Sequence, residues 1–301
     1  LELATAHSLG GDEAAALKDY EHTALILRRA GAEMPVELCN NLGVLSHRLG
    51  KLDAAEQAYK IALEGGGGGS SGCSATVRFN LARLQEDRGD TAAAAAGYRA
   101  LLAEHPNYLD AFLRLAACER ADGRLDKAVE WLKMGLEVSP TSVDVQCTLG
   151  ALCMEQRDLR SADRYFKGVA DAHADGQQQQ QQQKSRHEPY ALLGLANIQL
   201  ELAKLKPADK AMYLDKATEI FRQVLSLEEN NMYAINGLGV VCALKGRLVE
   251  ARDIWTTLRE ASDECDPVAL NLRPLHALMR EPQAAIPLHA PGARSAAARA
   301  Q

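Results

Sequence analysis

Aromatic residues make up only 5% of the 301-residue chain, and no β-branched runs alternate with polar residues between turn pairs, which argues against a sheet-built fold. No run reaches the roughly 18 apolar residues of a membrane span, and the opening LELATAHSLGG lacks the basic start and apolar stretch of a secretory signal. The chain reads as soluble and intracellular; beginning at Leu1, it also reads as a fragment, so the missing signal says little about compartment. Positive charge is short as well: 34 Lys plus Arg against 40 Asp plus Glu leaves a net charge of −6, which disfavours a surface built to track nucleic-acid phosphates.

Chemistry-bearing motifs are also lacking. The sequence contains no G-x-x-x-x-G-K-[ST], G-x-S-x-G, H-E-x-x-H or EF-hand loop, and its histidines never pair at i, i+4. The five glycines Gly65 to Gly69 have neither the preceding strand nor the following lysine of a phosphate cradle. The seven cysteines include no C-x-x-C pair, so disulfides and structural zinc are not expected. Five of them fall on one class of helix in the register below and are expected to be small buried hydrophobes. No catalytic, metal or cofactor residues are therefore assigned.

What is present is a repeat. Ala4, Gly43, Ala82, Ala116, Gly150, Gly194 and Gly239 are small residues following leucine, separated by 39, 39, 34, 34, 44 and 45 positions. Thirty-four is the period of the tetratricopeptide (TPR) helix-turn-helix unit. Twelve residues after each small residue except Gly194, whose unit carries an insertion before Ala217, stands an alanine, and four beyond each alanine a large side chain: Tyr20, Tyr59, Tyr98, Leu132, Phe166, Phe221 and Trp255. In such a unit helix A and helix B approach closely where both carry small residues, and the large residue of helix B fills the gap to the next unit. Gly50, Gly89, Gly123 and Gly246 mark where helix A must stop. Pro106 and Pro140 follow the ends of B helices. Seven units in register predict an all-α TPR superhelical solenoid over residues 1–280.

The added residues are expected at connections: around Gly31 to Pro35, and as loops near 65–75, 173–187 (with the Gln177 to Gln183 tract) and 203–213. An eighth unit begins at VALNL, but Arg273 and Pro274 break its frame, and residues 281–301 are predicted to be a disordered tail.

A TPR solenoid offers a concave groove lined by its A helices. The groove positions here supply Glu37, Asn40, Asn41 and Val44, then Phe79, Asn80 and Arg83, then Asp110, Leu113 and Arg114, with Arg120 beyond. Asn41 and Asn80 occupy equivalent positions and can donate to and accept from an extended peptide backbone. Arg83, Arg114 and Arg120 form a basic patch in an acidic chain, which suits an acidic partner segment. The same residues also allow these arginines to pair with Glu86, Asp87, Asp110 or Glu119 instead. A chaperone-tail clamp is disfavoured, because Val44, Arg83, Ala117 and Ala151 stand where it needs asparagine.

Several stretches carry a more specific likeness: LCNNLGVLSHRLGKLDAAEQAY from Leu38, EHPNYLDAFLRL from Glu104, DKAVEWLKMGLE from Asp126 and NMYAINGLGVVCALKGRLVEARDIW from Asn231. From about Leu1 to Leu272 the chain resembles the Ctr-nine type TPR scaffold subunits of the RNA polymerase II-associated factor (PAF) complex, including the long insertion before ATEIFRQVL. The last thirty residues do not match. The resemblance implies a nuclear, non-enzymatic scaffold whose partners are the other PAF subunits and RNA polymerase II, supporting transcription elongation and histone ubiquitylation and methylation. Direct nucleic-acid or membrane contact is not expected, given the acidic balance and the lack of a long apolar run. Two alternatives remain open: a TPR adaptor outside transcription, and the regulatory TPR region of an enzyme whose catalytic domain lies elsewhere. Asn41, Asn80 and Asn271 faintly echo the asparagine ladder of the second, while Arg114, Thr148, Leu192 and Gly237 break it.

Overall fold

A computed structural model of the chain describes residues 12–65, 71–174 and 181–261. The described residues contain thirteen α-helices, one short 3-10 helix and no strand. They fall into two compact units, Leu1–Pro140 and Thr141–Gln301.

The first unit holds α1 (Glu13–Arg29), α2 (Val36–Arg48), α3 (Leu52–Gly65), α4 (Ser71–Asp87), α5 (Thr91–Glu104), α6 (Leu109–Ala121) and α7 (Leu125–Val138). The second holds α8 (Val143–Glu155), α9 (Leu159–Ala174), α10 (Gln181–Leu205), the 3-10 turn Pro207–Asp209, α11 (Lys210–Leu227), α12 (Met232–Leu244) and α13 (Leu248–Ala261). Even-numbered helices carry the small residue and are the A helices; each packs on the B helix that follows, and that B helix packs on the next A helix within its unit. The expected all-α TPR architecture is what the described residues form, as six complete A/B pairs preceded by one B helix. Ala4 lies outside the described residues.

The repeat frame sets the core. The B-helix alanines Ala16, Ala55, Ala94, Ala128, Ala162, Ala217 and Ala251 are all fully buried, and so, to within a few per cent, are the large residues four positions on. Each such large side chain contributes about 1.5–3 kcal/mol by leaving water. Glycine on helix A makes room for them. A Cβ on Gly150 or on Gly194 would lie within 2.7 Å of the Phe166 ring, so this one ring wedges against the A helix of its own pair and that of the next. Phe221 stands in the same way against Gly237, and Trp255 against Gly239.

Helix ends follow local chemistry. Asp12, Asp90 and Asn231 accept from the backbone N–H three residues on, at 2.9–3.0 Å, and cap α1, α5 and α12. At the A-helix C-termini Gly50, Gly89, Gly123 and Gly246 take φ of 74°, 84°, 76° and 80°. The next residue then donates back five positions, as Lys51 does to the Ser46 carbonyl at 2.8 Å and Arg124 to the Glu119 carbonyl at 2.8 Å. At the corresponding position of α8 the chain carries no glycine, and Arg157 adopts φ 61° to close the same motif.

The connections differ from the expected loops. Ser71 and Gly72 already belong to α4, the last three glutamines of the tract and the residues up to Tyr190 belong to α10, and α10 and α11 leave only Lys206 to Asp209 outside α-helix. Helix continues through residues taken as loop because glutamine, lysine, leucine and alanine all propagate it well, and α10 even runs through Pro189. The remaining parts of the first two loops and the 281–301 tail lie outside the described residues.

Candidate partner-binding site

The residues singled out from the sequence all lie on three A helices of the first unit, α2, α4 and α6. The structure joins these helices through the side chains in question. Asn80 Nδ2 on α4 donates to Asn40 Oδ1 on α2 at 2.9 Å, half-buried between the helices. Asn41 Nδ2 reaches back to the Tyr20 hydroxyl of α1 at 3.4 Å. His47 Nε2 of α2 stands 2.7 Å from Asp87 Oδ2 of α4. The asparagine amides thus contribute to stacking successive units, and Asn41 and Asn80 keep their equivalent register while meeting different partners.

Arg114 is locked in place. Its guanidinium makes a two-pronged contact with Glu86 of α4, NH2 to Oε1 at 2.7 Å and Nε to Oε2 at 3.0 Å. The Tyr98 hydroxyl of α5 donates to the same Oε2 at 3.1 Å. Tyr98 is fully buried, and burial pushes its phenol well above the usual value, so it stays a donor to the carboxylate. Glu86 is the hub of this three-helix lock. Arg83, one turn before Glu86 on α4, is exposed and makes no hydrogen bond or ion pair among the described residues. Arg120 is exposed near the end of α6. The basic patch therefore does not act as one cluster: Arg114 is neutralised by Glu86, while Arg83 presents its charge outward.

Beside Arg83 the face is aromatic beneath its charge. Phe79 lies half-buried, its ring 5.6 Å from Tyr98 and 5.2 Å from Tyr108. Offset, tilted rings at that spacing attract one another and hold Phe79 rigidly in the wall.

The sequence offered Glu119 only as a partner for the groove arginines and not as the buried anchor it is for Arg99 and Arg124. Only 2% exposed, it accepts from Arg99 of α5 at 3.1 Å and from Arg124 just beyond α6. Burial alone would raise its pKa, but the hydrogen bonds from Arg124 and Arg99 outweigh it and hold the carboxyl below its usual value. The signal was the local run Glu119, Arg120, Asp122, Arg124, whose pairing depends on rotamers that spacing does not fix.

Cys39, Cys118, Cys147, Cys153 and Cys242 are free thiols buried on A helices, as expected. Among the described residues no group of three His, Cys, Asp or Glu side chains converges as a metal site, and no helix is long and apolar enough to cross a membrane.

Comparison with known proteins accords with this geometry. Two tetratricopeptide-repeat family models match residues 36–64 and 79–142. The chain is 30% identical to the "Protein CTR9 homolog" of Arabidopsis thaliana over 84% of its own length and 26% of the relative's. It is 27% identical to the "RNA polymerase-associated protein CTR9" of Caenorhabditis elegans, over 87% of this chain and 24% of that one. For the Saccharomyces cerevisiae protein of the same name the figures are 25%, 83% and 23%. The chain spans about a quarter of the length of the curated relatives it matches. Among solved structures, a tetratricopeptide repeat protein from Parabacteroides merdae superposes with a TM-score of 0.62 at 18% identity, over 91% of this chain and 96% of that one. The C-terminal part of a TPR repeat-containing protein from Cytophaga hutchinsonii gives 0.60 at 13% identity, over 89% and 97%. At such low identity the two structures bear on fold alone. The chain is a tetratricopeptide-repeat protein similar in sequence to the CTR9 proteins.

Proposed function

We propose that this chain is a segment of a non-catalytic TPR scaffold of the PAF complex, which binds other subunits of that complex in the nucleus and supports RNA polymerase II elongation and co-transcriptional histone modification. The observation that carries the reading is the reach of the CTR9 similarity. It covers 84% of the chain, whereas the TPR models match only residues 36–64 and 79–142, so the likeness extends well beyond the repeat consensus. Two of these relatives are named as RNA polymerase-associated.

Within that role the A-helix face of the first unit is the docking groove. Asn40, Asn41, Asn80 and the Glu86–Arg114 lock hold α2, α4 and α6 in fixed register. Arg83 supplies outward positive charge, Arg120 lies exposed at the end of α6, and Phe79 supplies an apolar wall. Such a face suits an acidic partner segment carrying apolar side chains: rim charges steer the encounter and the apolar contacts hold it.

The test is affinity purification of the full-length natural protein from nuclear extract, followed by mass spectrometry. Co-purification of PAF subunits with RNA polymerase II is the expected result. Recovery of a cytosolic enzyme or chaperone in their place would overturn the assignment while leaving the TPR fold intact.

A further inference from the structure

The second unit carries a basic feature that the repeat does not require. The end of α10, the turn after it and the start of α11 contribute Lys204, Lys206, Lys210 and Lys216 against only Asp209 and Asp215 between Lys204 and Lys216, in a chain whose net charge is −6. Asp215 is already engaged, its Oδ1 2.7 Å from Lys245 Nζ, and Lys204 is held by Glu201 at 2.6 Å. Lys206 and Lys216, both exposed, have no carboxylate partner among the described residues, yet both converge on one side chain. Their Nζ atoms lie 5.9 and 6.0 Å from the Tyr213 ring centroid, and Lys206 Nζ is 3.4 Å from the Tyr213 hydroxyl. Both ammonium groups stand at the outer limit of ring-quadrupole attraction, so the ring neutralises neither charge.

Next to this pair is a cavity of about 320 Å³, lined by Ala203, Lys204, Pro207, Lys210 and Leu244. Leu205 and Met212, 62% and 44% exposed, add apolar surface in the same connection. The N-terminus of α11 opens here too. Its first turn contains no acidic residue, and the Asp209 carboxylate at the N-cap makes no hydrogen bond to the first-turn N–H groups.

We infer that the Lys206–Tyr213–Lys216 cluster, with the adjoining cavity, is a second docking surface, and that its occupant is an acidic peptide segment of a partner protein, its carboxylates on the lysines and one apolar side chain in the cavity. Peptide is favoured over nucleic acid by the form of the site. A strand of RNA or DNA needs a continuous basic track and several stacking rings, whereas here a single tyrosine and a small cavity lined by Ala203, Pro207 and Leu244 beside two lysines sit in an acidic chain. The inference stands on the second unit alone, independently of the groove in the first.

The experiment is fluorescence anisotropy with the complete 301-residue chain at about 0.15 M salt, the probe being a labelled short Asp/Glu-rich peptide with one central leucine. Controls are the same peptide with Asn and Gln for its acids, a labelled oligouridine, and vesicles of anionic phospholipid. The inference predicts saturable binding of the acidic peptide, weakened about tenfold or more by Lys206→Glu with Lys216→Glu. It predicts a smaller loss with Lys206→Gln and Lys216→Gln, a pair that introduces no new repulsion and guards against misfolding of the reversal variant. Because the first-unit groove also suits an acidic segment, the lysine variants are compared in an Arg83→Glu background as well, where the remaining binding reports the second surface and should show the same losses. Equal binding of the neutral peptide, unchanged affinity in both lysine variants, or tighter binding of the oligouridine or the vesicles would overturn it.

Discussion

A Cβ added to Gly43 would lie 2.3 Å from Cε1 of Tyr59, so the tyrosine ring fills the space that any side chain at position 43 would need. Gly43→Ala is therefore expected to destabilise the first unit by about 1–3 kcal/mol through overpacking, although alanine is the better helix former. Gly168→Ala makes the opposite test. Gly168 is exposed on α9 and its added Cβ would meet only Gln146 Oε1, at 3.6 Å, so this change should stabilise by about 0.5–1 kcal/mol. Urea unfolding of both variants reads the pair, and equal signs would refute the close-approach account.

Arg157 sits in the left-handed region at φ 61°, where every other A-helix C-terminus that makes this turn uses glycine. Arg157→Gly should raise stability by about 0.5–1 kcal/mol, the relief of left-handed strain less the added chain entropy of glycine. The contact of Arg157 with Glu201, at 3.6 Å with Arg157 80% exposed, is too solvated to reverse that sign. A lower denaturation midpoint in the variant would contradict this.

Glu119 gives the first unit a pH dependence of known sign. Its folded pKa lies below the ordinary carboxylate value of 4.5, so the unfolded chain binds the proton more tightly. The stabilisation is complete above the ordinary value and is lost as pH falls through the folded one. Glu119→Gln should cost about 2 kcal/mol near neutral pH, the worth of charge-assisted hydrogen bonds, and should flatten the fall in stability between pH 5 and lower values. Denaturant titrations across that range would show it; an unchanged pH slope would mean that the carboxylate is not held as described.

Burial pushes the Cys118 thiol up to about 11 and the Cys147 thiol up to about 12, and it raises Cys39 and Cys242 as well. These thiols carry almost no thiolate at pH 8, and they are shielded in addition. A thiol reagent should modify them only on unfolding, at a rate that tracks denaturant. Prompt native-state labelling of Cys118 or Cys147, identified by peptide mapping, would count against the packing of α6 or α8.

Much of the fold was legible because repetition averages out local accident. The alanine on helix B, the large residue after it and the glycine at the end of helix A each recur in register, and each is fixed by a steric need that sequence displays directly. The α8 terminus escaped because Arg157 meets a glycine's backbone requirement with a side chain that gives no sign of it. The connection around Lys206 was read too long, since its lysines, leucines and alanines serve helix as readily as loop. At the candidate site the sequence placed Asn80 and Arg114 on the right helices. It left open that Arg114 pairs with Glu86 and that Asn80 turns toward Asn40, because bridges between helices depend on rotamers and inter-helix distance rather than on spacing.

The most direct measurement of the central claim is the affinity of the chain for purified PAF subunits, comparing wild type with Arg83→Glu. Arg83 is exposed and outside the Glu86–Arg114 lock, so the reversal leaves the helical frame intact. The scaffold account predicts binding to at least one subunit, weakened about tenfold by the reversal, with a matching loss of salt dependence. Binding that is absent in wild type, or unchanged by the substitution, would contradict the assignment of this face as the docking groove.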